Sequence, residues 1–396
     1  MRRRAAAALA RSYIRRVPST VQEGCRWGGY LASRPSLAAQ IARSYPGKCV
    51  WPQIGRSVTM QTGQCFGRPR MRKIRRILVA VKDPSSRSLP AVMKAAQLAK
   101  VWDAGLDLFH CISTPLYVDS YSSNAALEDV ARATLQQQRD RLERLARKLR
   151  TENLEVSADV QWDYPVFESI VRRANEIKAD LVVAERHAGR HFAAGLLQLT
   201  DWELLRTSPV PVLLVKTAGT YKSPVVLAAV DPSHANAKPT NLDERILRQG
   251  ALFSEALQGS LHAVHAYIPL PTPFPSNLLT EGAVQKLTAE IAAKARRGFE
   301  RIVRTYEIPK ARQHLLARHP INAIEETARK FNCAIVVMGA LSRSGMKRFF
   351  VGNTAESLLD SLPCDFLIVK PDRFSSPVQR RRRGLRISVL APVPLI

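Results

Sequence analysis

The sequence predicts an α/β protein that consists of two tandem doubly wound units, each a five-stranded parallel sheet with helices on both faces. Two observations predict this class. Apolar, strand-like runs alternate with amphipathic, helix-like runs through the middle of the chain, which is typical of parallel sheets covered on both sides. The same region also repeats itself at a fixed offset, which indicates two homologous units.

The repeat is visible without gaps near the end of each unit. At an offset of 154 positions, Pro209 corresponds to Pro363 and Lys216 to Lys370. The beginnings of the units also agree, because a strand-like run leads into Asp83-Pro84 in one and Asp231-Pro232 in the other. The sequence therefore predicts domains at 72–217 and 222–371, joined by a short hinge.

The first unit alternates predicted strands and helices throughout. Its strands are short apolar runs, and the segments between them have apolar residues at helical spacing. The predicted strands are Ile77–Val81, Leu106–Ile112, Leu154–Trp162, Leu181–Ala184 and Val210–Val215, and the predicted helices are Leu89–Ala104, Ala125–Arg150, Val166–Ile177 and Thr200–Thr207.

The second unit repeats this order. Its predicted strands are Val225–Val230, Leu261–Ala266, His314–Ala317, Ile335–Met338 and Phe366–Val369, and its predicted helices are Ile246–Leu257, Glu281–Tyr306, Ile321–Phe331 and Thr354–Ser361. In open parallel sheets, ligands bind beyond the carboxyl ends of the strands. We therefore expect a ligand site at that edge.

The positive charge of the chain is concentrated at its two ends. The net charge is +27, and residues 1–70 contain 13 Lys or Arg against the single acidic Glu23. We expect 1–71 to be a basic, disordered extension or sequence upstream of a true start at Met71, with a targeting segment as the alternative. We expect 372–396 to be a basic, disordered tail. Its run Arg380–Arg383 lacks interleaved aromatic residues, so nucleic acid is not an expected partner.

Apolar runs and cysteine spacing exclude other classes. The longest apolar runs are too short to span a membrane. The six cysteines include no C-x-x-C pair, which argues against a zinc or redox site. Cys111, Cys333 and Cys364 lie in or beside strand-like runs, where buried, reduced thiols are expected. We therefore expect a cytoplasmic protein without a membrane span or metal site.

One loop of the second unit has the features of an anion-binding cradle. The fourth strand ends at Gly339, and a loop containing Arg343 and Lys347 leads to Gly352 and a predicted helix. Glycines let the backbone approach a ligand closely, and amides at a helix start favour phosphate. Asp231 follows the first strand at the same edge. The alternative is that the glycines only end a strand and turn a loop.

This loop and the order of elements resemble the universal stress protein family, in its tandem, two-domain branch. The ATP loop of the family reads G-x-x-G, nine residues, then G-[ST]. Gly339 matches the first glycine, Ser342 takes the place of the second, and nine residues separate Ser342 from Gly352. Asn353 takes the place of the hydroxyl residue, and Thr354 follows it. The resemblance covers about residues 72–371.

The resemblance implies that the second unit binds ATP or another adenine nucleotide. By this resemblance, the ribose or adenine contacts Asp231, and the base pocket includes the position after the second strand. The amides and side chains that begin the last helix would contact the phosphates. The residues assigned to nucleotide binding in this way are Asp231, Ala266, Met338, Gly339, Ser342, Gly352, Asn353 and Thr354.

The first unit lacks this cradle. At the same offset, Glu185 replaces Gly339, Ala188 replaces Ser342, and Gln198 and Leu199 replace Gly352 and Asn353. A carboxylate at 185 would repel a phosphate. His187 and His191 share helical spacing, but no acidic or Cys ligand accompanies them, so we expect an exposed loop there. A nucleotide is therefore expected in the second unit alone.

Three functions agree with these observations. The favoured one is a stress-response protein that binds an adenine nucleotide and acts through binding and partner contacts, with no catalytic residue. An ATP-hydrolysing or nucleotidyl-transfer enzyme of a related α/β type is the alternative, although neither unit has a G-x-x-x-x-G-K-[ST] loop. A carrier of an apolar or lipid ligand is the third, because the run 349–351 is unusually apolar. We also expect the two units to pair about a pseudo-two-fold axis.

Overall fold

The computed structural model describes residues 73–118, 124–186, 194–233, 241–270, 280–340, 353–372 and 374–389. The first unit follows the predicted order. Its elements are β1 (Arg76–Ala80), α1 (Pro90–Trp102), β2 (Gly105–Ile112), β3 (Leu116–Val118), α2 (Asn124–Arg150), β4 (Val156–Trp162), α3 (Val166–Glu176), β5 (Leu181–Glu185), α4 (Ala194–Thr207) and β6 (Val212–Val215).

The second unit has the same order of elements, and one short strand follows it. Its elements are β7 (Val225–Ala229), α5 (Leu242–Ala256), β8 (Ser260–Tyr267), α6 (Glu281–Arg304), a 3₁₀ turn (Lys310–Arg312), β9 (Gln313–Ala317), α7 (Pro320–Lys330), β10 (Ile335–Gly339), α8 (Asn353–Ser361) and β11 (Asp365–Val369), with β12 (Ile387–Val389) near the end of the described chain.

Each unit contributes five parallel strands, as the sequence predicts. The strand order is β4-β2-β1-β5-β6 in the first half of the sheet and β11-β10-β7-β8-β9 in the second. The two halves do not form separate sheets, which corrects one expectation. Strands β6 and β11 pair antiparallel, with Val212 opposite Ile368 and Leu214 opposite Phe366, so one ten-stranded sheet results. Pairing of the two edge strands also provides the expected pairing of the units.

Helices cover both faces of this sheet. Alternate strand residues point to opposite sides, so Ile77 and Val79 join one buried cluster and Leu78 joins the other. Helices α1, α2, α5 and α6 pack on the first face, and α3, α4, α7 and α8 pack on the second. Because these strands are buried on both faces, their sequences are continuous apolar runs.

The repeat extends to unusual backbone positions at the ends of equivalent helices. Non-glycine residues with positive φ occur at matching places in the two units, with φ between 45° and 63°. They follow α1 and α5, α2 and α6, and α3 and α7, and the pairs are Asp103 with Gln258, Asn153 with Glu307, and Lys178 with Asn332. Left-handed residues commonly end helices, so each unit turns into its next strand in the same way.

A buried polar cluster connects the two units. Asp365 is fully buried and accepts hydrogen bonds from Lys94 Nζ at 2.6 Å and from the Tyr221 hydroxyl at 2.5 Å. Its other oxygen accepts from the amides of Lys216 at 2.8 Å and Thr217 at 3.0 Å. The cluster joins α1 of the first unit, the hinge and β11 of the second unit. Burial and the neighbouring carboxylate raise the pKa of Tyr221 well above its usual value.

Two equivalent lysines cross between the units. Lys216, after β6, donates to the carbonyl oxygens of Leu359 at 2.6 Å and of Leu362, which end α8. Lys370, after β11, donates to the carbonyl of Arg206 at 3.0 Å near the end of α4. Each unit therefore supplies a lysine amino group as a hydrogen-bond donor to the carboxyl end of a helix in the other unit, where terminal carbonyls lack intrahelical donors.

The described part of the C-terminal segment, residues 374–389, contains the short strand β12. Residues between 379 and 389 contact the first unit, and β12 pairs parallel with β3 in a separate two-stranded sheet. The amides of Arg383 and Gly384 donate to Asp163, which follows β4. Val378 of the segment also packs against the apolar cluster on the second face.

Candidate functional site

The carboxyl ends of β7, β8 and β10 bring several of the sequence-predicted residues to one edge of the second unit. Strand β7 pairs with β8 on one side and with β10 on the other. Asp231 follows β7, Ala266 lies near the end of β8, and Gly339 is the last residue of β10. These three residues are partly exposed. The arrangement is the edge at which open parallel sheets bind ligands.

Asp231 begins a tight turn at this edge. One of its carboxylate oxygens accepts hydrogen bonds from the amide of Ser233, at 3.3 Å, and from the Ser233 hydroxyl. The backbone amide of Asp231 donates to the buried carboxylate of Asp243, at 2.9 Å. The turn fixes the direction of the Asp231 side chain, and its second oxygen accepts no hydrogen bond from the residues that the structure describes.

A histidine supports the same turn from the neighbouring strand. Nδ1 of His265 on β8 lies 3.1 Å from the carbonyl oxygen of Val230. The first unit repeats this contact, because Nδ1 of His110 on β2 lies 2.8 Å from the carbonyl of Val81. Since the partner is a carbonyl, Nδ1 is the nitrogen that carries a proton in each ring. Burial lowers the pKa of His110, which keeps that ring neutral.

The sequence analysis missed these histidines. They lie one position off the 154 offset, because the second strands correspond at an offset of 155, as His110 and His265 do. Aligning the second strands by themselves, Phe109-His110-Cys111 against Val264-His265-Ala266, would have revealed the pair.

Gly339 lies in closely packed surroundings at the end of β10. A Cβ built at Gly339 would lie 2.7 Å from Cδ2 of Leu242 on α5, which is closer than real Cβ contacts. A side chain here would therefore push α5 away from the end of β10. Met338 is 5% exposed and belongs to the apolar cluster on the second face, so in this conformation it supports the edge from below.

The remaining predicted residues lie in or next to the loop. Ser342 and Gly352 are outside the described residues. Asn353 and Thr354 begin α8, so their amides belong to the first turn of a helix. Amides of a first turn lack intrahelical acceptors and favour anions. Their location agrees with the role that the resemblance implies for them, which stays a prediction.

The first unit has the same turn but a different end of its fourth strand. Asp83 accepts from the amide of Ser85 at 2.8 Å and from its hydroxyl at 2.6 Å, and these bonds lower the pKa of Asp83. Glu185 ends β5, at the position that Gly339 occupies in the second unit. The predicted exposed loop with His187 and His191, and Ala188, lie outside the described residues. Gln198 and Leu199 belong to α4.

A cavity of about 210 Å³ opens at this edge of the first unit. Its walls come mainly from apolar side chains of β1, β2, α3 and α4, including Phe109, Val166, Ile170 and Leu204, with Glu185 at its rim. Cys111 also lines it, and burial raises the pKa of that thiol to about 11, so it is a protonated thiol at neutral pH. The cavity is therefore apolar in most of its walls, and Lys82, Glu185 and Asp201 are the charged residues among those that line it.

Among the described residues, no group of three or more His, Cys, Asp or Glu side chains is placed to hold a metal ion. Cys333 and Cys364 are free and buried, and burial raises the pKa of both thiols to about 12. No helix in the described ranges is long and apolar enough to cross a membrane.

The fold and its repeated edge define a tandem α/β protein of the doubly wound class. A model of the universal stress protein family matches residues 73–216 and again residues 225–370. The chain therefore belongs to the universal stress protein family, with two tandem copies of the family's domain.

Relatives named universal stress protein E are similar to this chain over most of their own length. Universal stress protein E of Escherichia coli K12 is 27% identical over 316 residues, which covers 76% of this chain and 96% of the relative. The Haemophilus influenzae homologue of universal stress protein E is 25% identical over 308 residues, covering 76% of this chain and 99% of the relative.

Solved structures show the same architecture. The crystal structure of a putative universal stress protein from Pseudomonas aeruginosa UCBPP-PA14 has 26% sequence identity and a TM-score of 0.58, covering 76% of this chain and 94% of that one. A universal stress protein from Archaeoglobus fulgidus, at 15% identity and a TM-score of 0.50, covers 74% of this chain and 96% of that one and supports the fold alone.

Proposed function

We propose that the protein binds an adenine nucleotide, ATP first among them, at the carboxyl edge of its second unit and acts in a stress response through binding and partner contacts rather than catalysis. The observation that carries the proposal is the edge where Asp231, Ala266 and Gly339 meet. A fixed carboxylate with a remaining acceptor suits a ribose hydroxyl. The proposal places the protein in the cytoplasm, which cell fractionation checks.

The contrast between the two units supports a single site. Both units have the acidic turn, at Asp83 and Asp231, but Glu185 occupies in the first unit the place of Gly339 in the second. The amides at the start of α8 would then hold the phosphates beyond Gly339. A carboxylate at 185 repels phosphate by like charge. We therefore expect one nucleotide per chain.

Calorimetry with ATP on matched variants tests this proposal. Asp231→Ala removes the carboxylate that accepts the ribose hydroxyl, and we expect its affinity to fall about tenfold or more, the loss of one good hydrogen bond to a charged group. Asp83→Ala removes the corresponding turn in the first unit and is expected to leave ATP affinity and stoichiometry unchanged. Equal losses in the two variants, or two sites per chain, would contradict the proposal.

A second pair of variants tests the loop itself. Gly352→Val places a β-branched side chain at the proposed phosphate position and is expected to abolish ATP binding. The equivalent change in the first unit, Gln198→Val, is expected to leave binding intact. Undiminished ATP binding by Gly352→Val would remove the loop from the site.

Two measurements separate the other functions. Phosphate or pyrophosphate release from ATP by the purified protein would favour the ATP-hydrolysing or nucleotidyl-transfer alternative, and the proposal expects no turnover above background. Mass spectrometry of extracted, co-purified ligands tests the apolar or lipid carrier. That third function is favoured by one observation, the apolar walls of the 210 Å³ cavity in the first unit.

A further inference from the structure

The first unit has an acidic groove that holds the C-terminal segment of the same chain. We name this the strap groove and define it by Asp163 after β4, Glu168 and Glu176 on α3, and the open edge of β3. Asp163 is fully buried, and one of its oxygens accepts from the amides of Arg383 at 2.9 Å and Gly384 at 3.1 Å. A buried carboxylate thus binds the backbone of the segment directly.

Asp163 is held in place for this contact. Its second oxygen accepts from Arg172, at 2.7 Å, and Arg172 is itself 4% exposed. Burial raises the pKa of Asp163, but the two segment amides and Arg172 outweigh it and hold that pKa below its usual value. Arg172 also donates to Glu168 at 3.0 Å and to the carbonyl of Gln379 at 3.3 Å. The site therefore binds the backbone of the segment at two places, the amides of Arg383 and Gly384 and the carbonyl of Gln379.

The arginine side chains of the segment find acidic and aromatic partners in the same groove. Arg382 pairs with Glu176 at 2.8 Å, and Arg383 pairs with Glu168 at 3.0 Å. The guanidinium groups of Arg383 and Arg386 lie 5.7 Å and 5.1 Å from the centre of the Tyr164 ring. Planar guanidinium groups suit both kinds of contact, so the groups that surround the segment favour arginine.

Backbone pairing extends the contact beyond the arginines. The amide of Leu116 donates to the carbonyl of Arg386, at 2.8 Å, and β12 continues as a strand parallel to β3. Addition of a strand to an open edge is a common way to bind an extended peptide, since main-chain hydrogen bonds supply affinity and side-chain contacts supply specificity.

The second unit provides an internal comparison. At the offset of 154, Ala317 replaces Asp163, Asn322 replaces Glu168 and Lys330 replaces Glu176. A shared fold therefore does not require these acidic residues. Their charge is a specific property of the first unit, and it complements the segment that lies there.

We propose that the strap groove is a binding site for extended, arginine-rich peptide segments, and that residues 378–389 of the chain occupy it as an intramolecular competitor. The groove recognises three features of such a segment. These are two adjacent arginine side chains, the backbone amides of the second arginine and of the glycine after it, and a strand that follows the glycine. A partner protein that carries such a segment docks on the first unit by displacing the chain's own segment.

The tether sets how strongly the segment competes. Flexible linkage gives effective concentrations in the millimolar range. A free peptide that binds the empty groove with a Kd of about 10 μM would then bind the wild-type chain roughly 100-fold more weakly, because the tethered segment is present at about 100 times that Kd.

The test uses the full chain with its own segment weakened. Arg382→Glu/Arg383→Glu reverses both charges that pair with the groove, and a fluorescent peptide with the sequence of residues 378–389 is added in trans. Anisotropy is expected to show micromolar binding to this variant and binding about 100-fold weaker to the wild type. A control peptide of the same composition in scrambled order is expected to bind at least tenfold more weakly.

Matched groove variants decide whether the site is the one described. Added to the segment variant, Glu168→Gln/Glu176→Gln is expected to weaken peptide binding at least tenfold. Glu325→Gln/Glu326→Gln, on the corresponding helix of the second unit, is expected to leave it unchanged. Thermal unfolding verifies that all variants are folded. Absence of binding to the segment variant, equal binding of the scrambled peptide, or equal losses from both groove variants would overturn the proposal.

Discussion

Removal of the Asp365 side chain should show most clearly how much the contact between the two units contributes to the free energy of unfolding. It is fully buried and accepts hydrogen bonds from Lys94, Tyr221, Lys216 and Thr217. Asp365→Ala deletes the acceptor for all of them. It also leaves the Lys94 ammonium, which is 1% exposed, without its carboxylate.

The expected cost follows from this geometry. Breaking a buried ion pair by removing one partner destabilises a protein by about 3–5 kcal/mol, mainly because the other charge is left buried. If the stranded ammonium causes most of the loss, then Lys94→Met in the Asp365→Ala background should recover about 1–3 kcal/mol. The double variant should therefore be more stable than Asp365→Ala alone.

Equilibrium unfolding in urea measures these changes. Circular dichroism and tryptophan fluorescence are followed together, so that coincident transitions verify that one free energy describes the unfolding. Lys310→Ala is the control, because Lys310 pairs with Glu300 at 3.2 Å but is 81% exposed. An exposed pair of this kind contributes about 1 kcal/mol or less.

Two results would refute the reasoning. A loss below about 1 kcal/mol in Asp365→Ala would show that the cluster does not hold the units together, since an exposed pair contributes as much. A double variant less stable than Asp365→Ala would show that the ammonium of Lys94 is not the source of the penalty.

Two pH dependences follow from Lys370 and His314, whose pKa values are lowered in the folded chain. Burial lowers the pKa of Lys370 to about 7, so between pH 7 and the pKa of this lysine in the unfolded chain, the unfolded chain binds more protons than the folded chain. The free energy of unfolding of the wild type should therefore rise with pH in this range, by at most roughly 1.4 kcal/mol per pH unit. Urea unfolding of Lys370→Met should lack this slope. Burial, and then the charges of His262 and Lys330, lower the pKa of His314 to about 4, so stability should fall as the pH drops from about 6.5 to 4. Acid unfolding of His314→Phe should show a smaller loss, and an unchanged profile would contradict the assignment.

The local order of the fold was predictable because it depends on pattern. Strands buried on both faces leave apolar runs such as Val225–Ala229, and the duplicated ends at Lys216 and Lys370 reveal two units. Joining of the two halves into one sheet was not predictable. Pairing of Leu214 with Phe366 depends on how two edges meet in space, and an edge strand inside a tandem protein reads in sequence like any other.

Charged residues account for most of what the sequence left out. Lys94 lies in an amphipathic helix where a lysine reads as exposed, yet it is 1% exposed because a carboxylate 271 positions away meets it. The strap groove combines Asp163, Glu168 and Glu176 with a segment more than 200 positions later in the chain. Neither pairing has a period or a spacing that a single sequence displays.

The candidate nucleotide site was predictable as a location more than as a set of contacts. Asp231 and Gly339 reach one edge because parallel strands end together. The tight fit of Gly339 against Leu242 and the support of the turn by His265 depend on packing, and only the fold reveals them.

The crossing lysines have a consequence for the order in which the chain is made. Lys216 and the open edge of β6 leave the ribosome first, and their partners on α8 and β11 lie about 150 residues later. At about 5–20 residues per second, that interval is roughly 8–30 s. During this time the nascent first unit has an unpaired strand edge, and Lys216 lacks the carbonyl acceptors at the end of α8. The open edge of β6 is covered only when the second unit has been synthesised and β11 pairs with it.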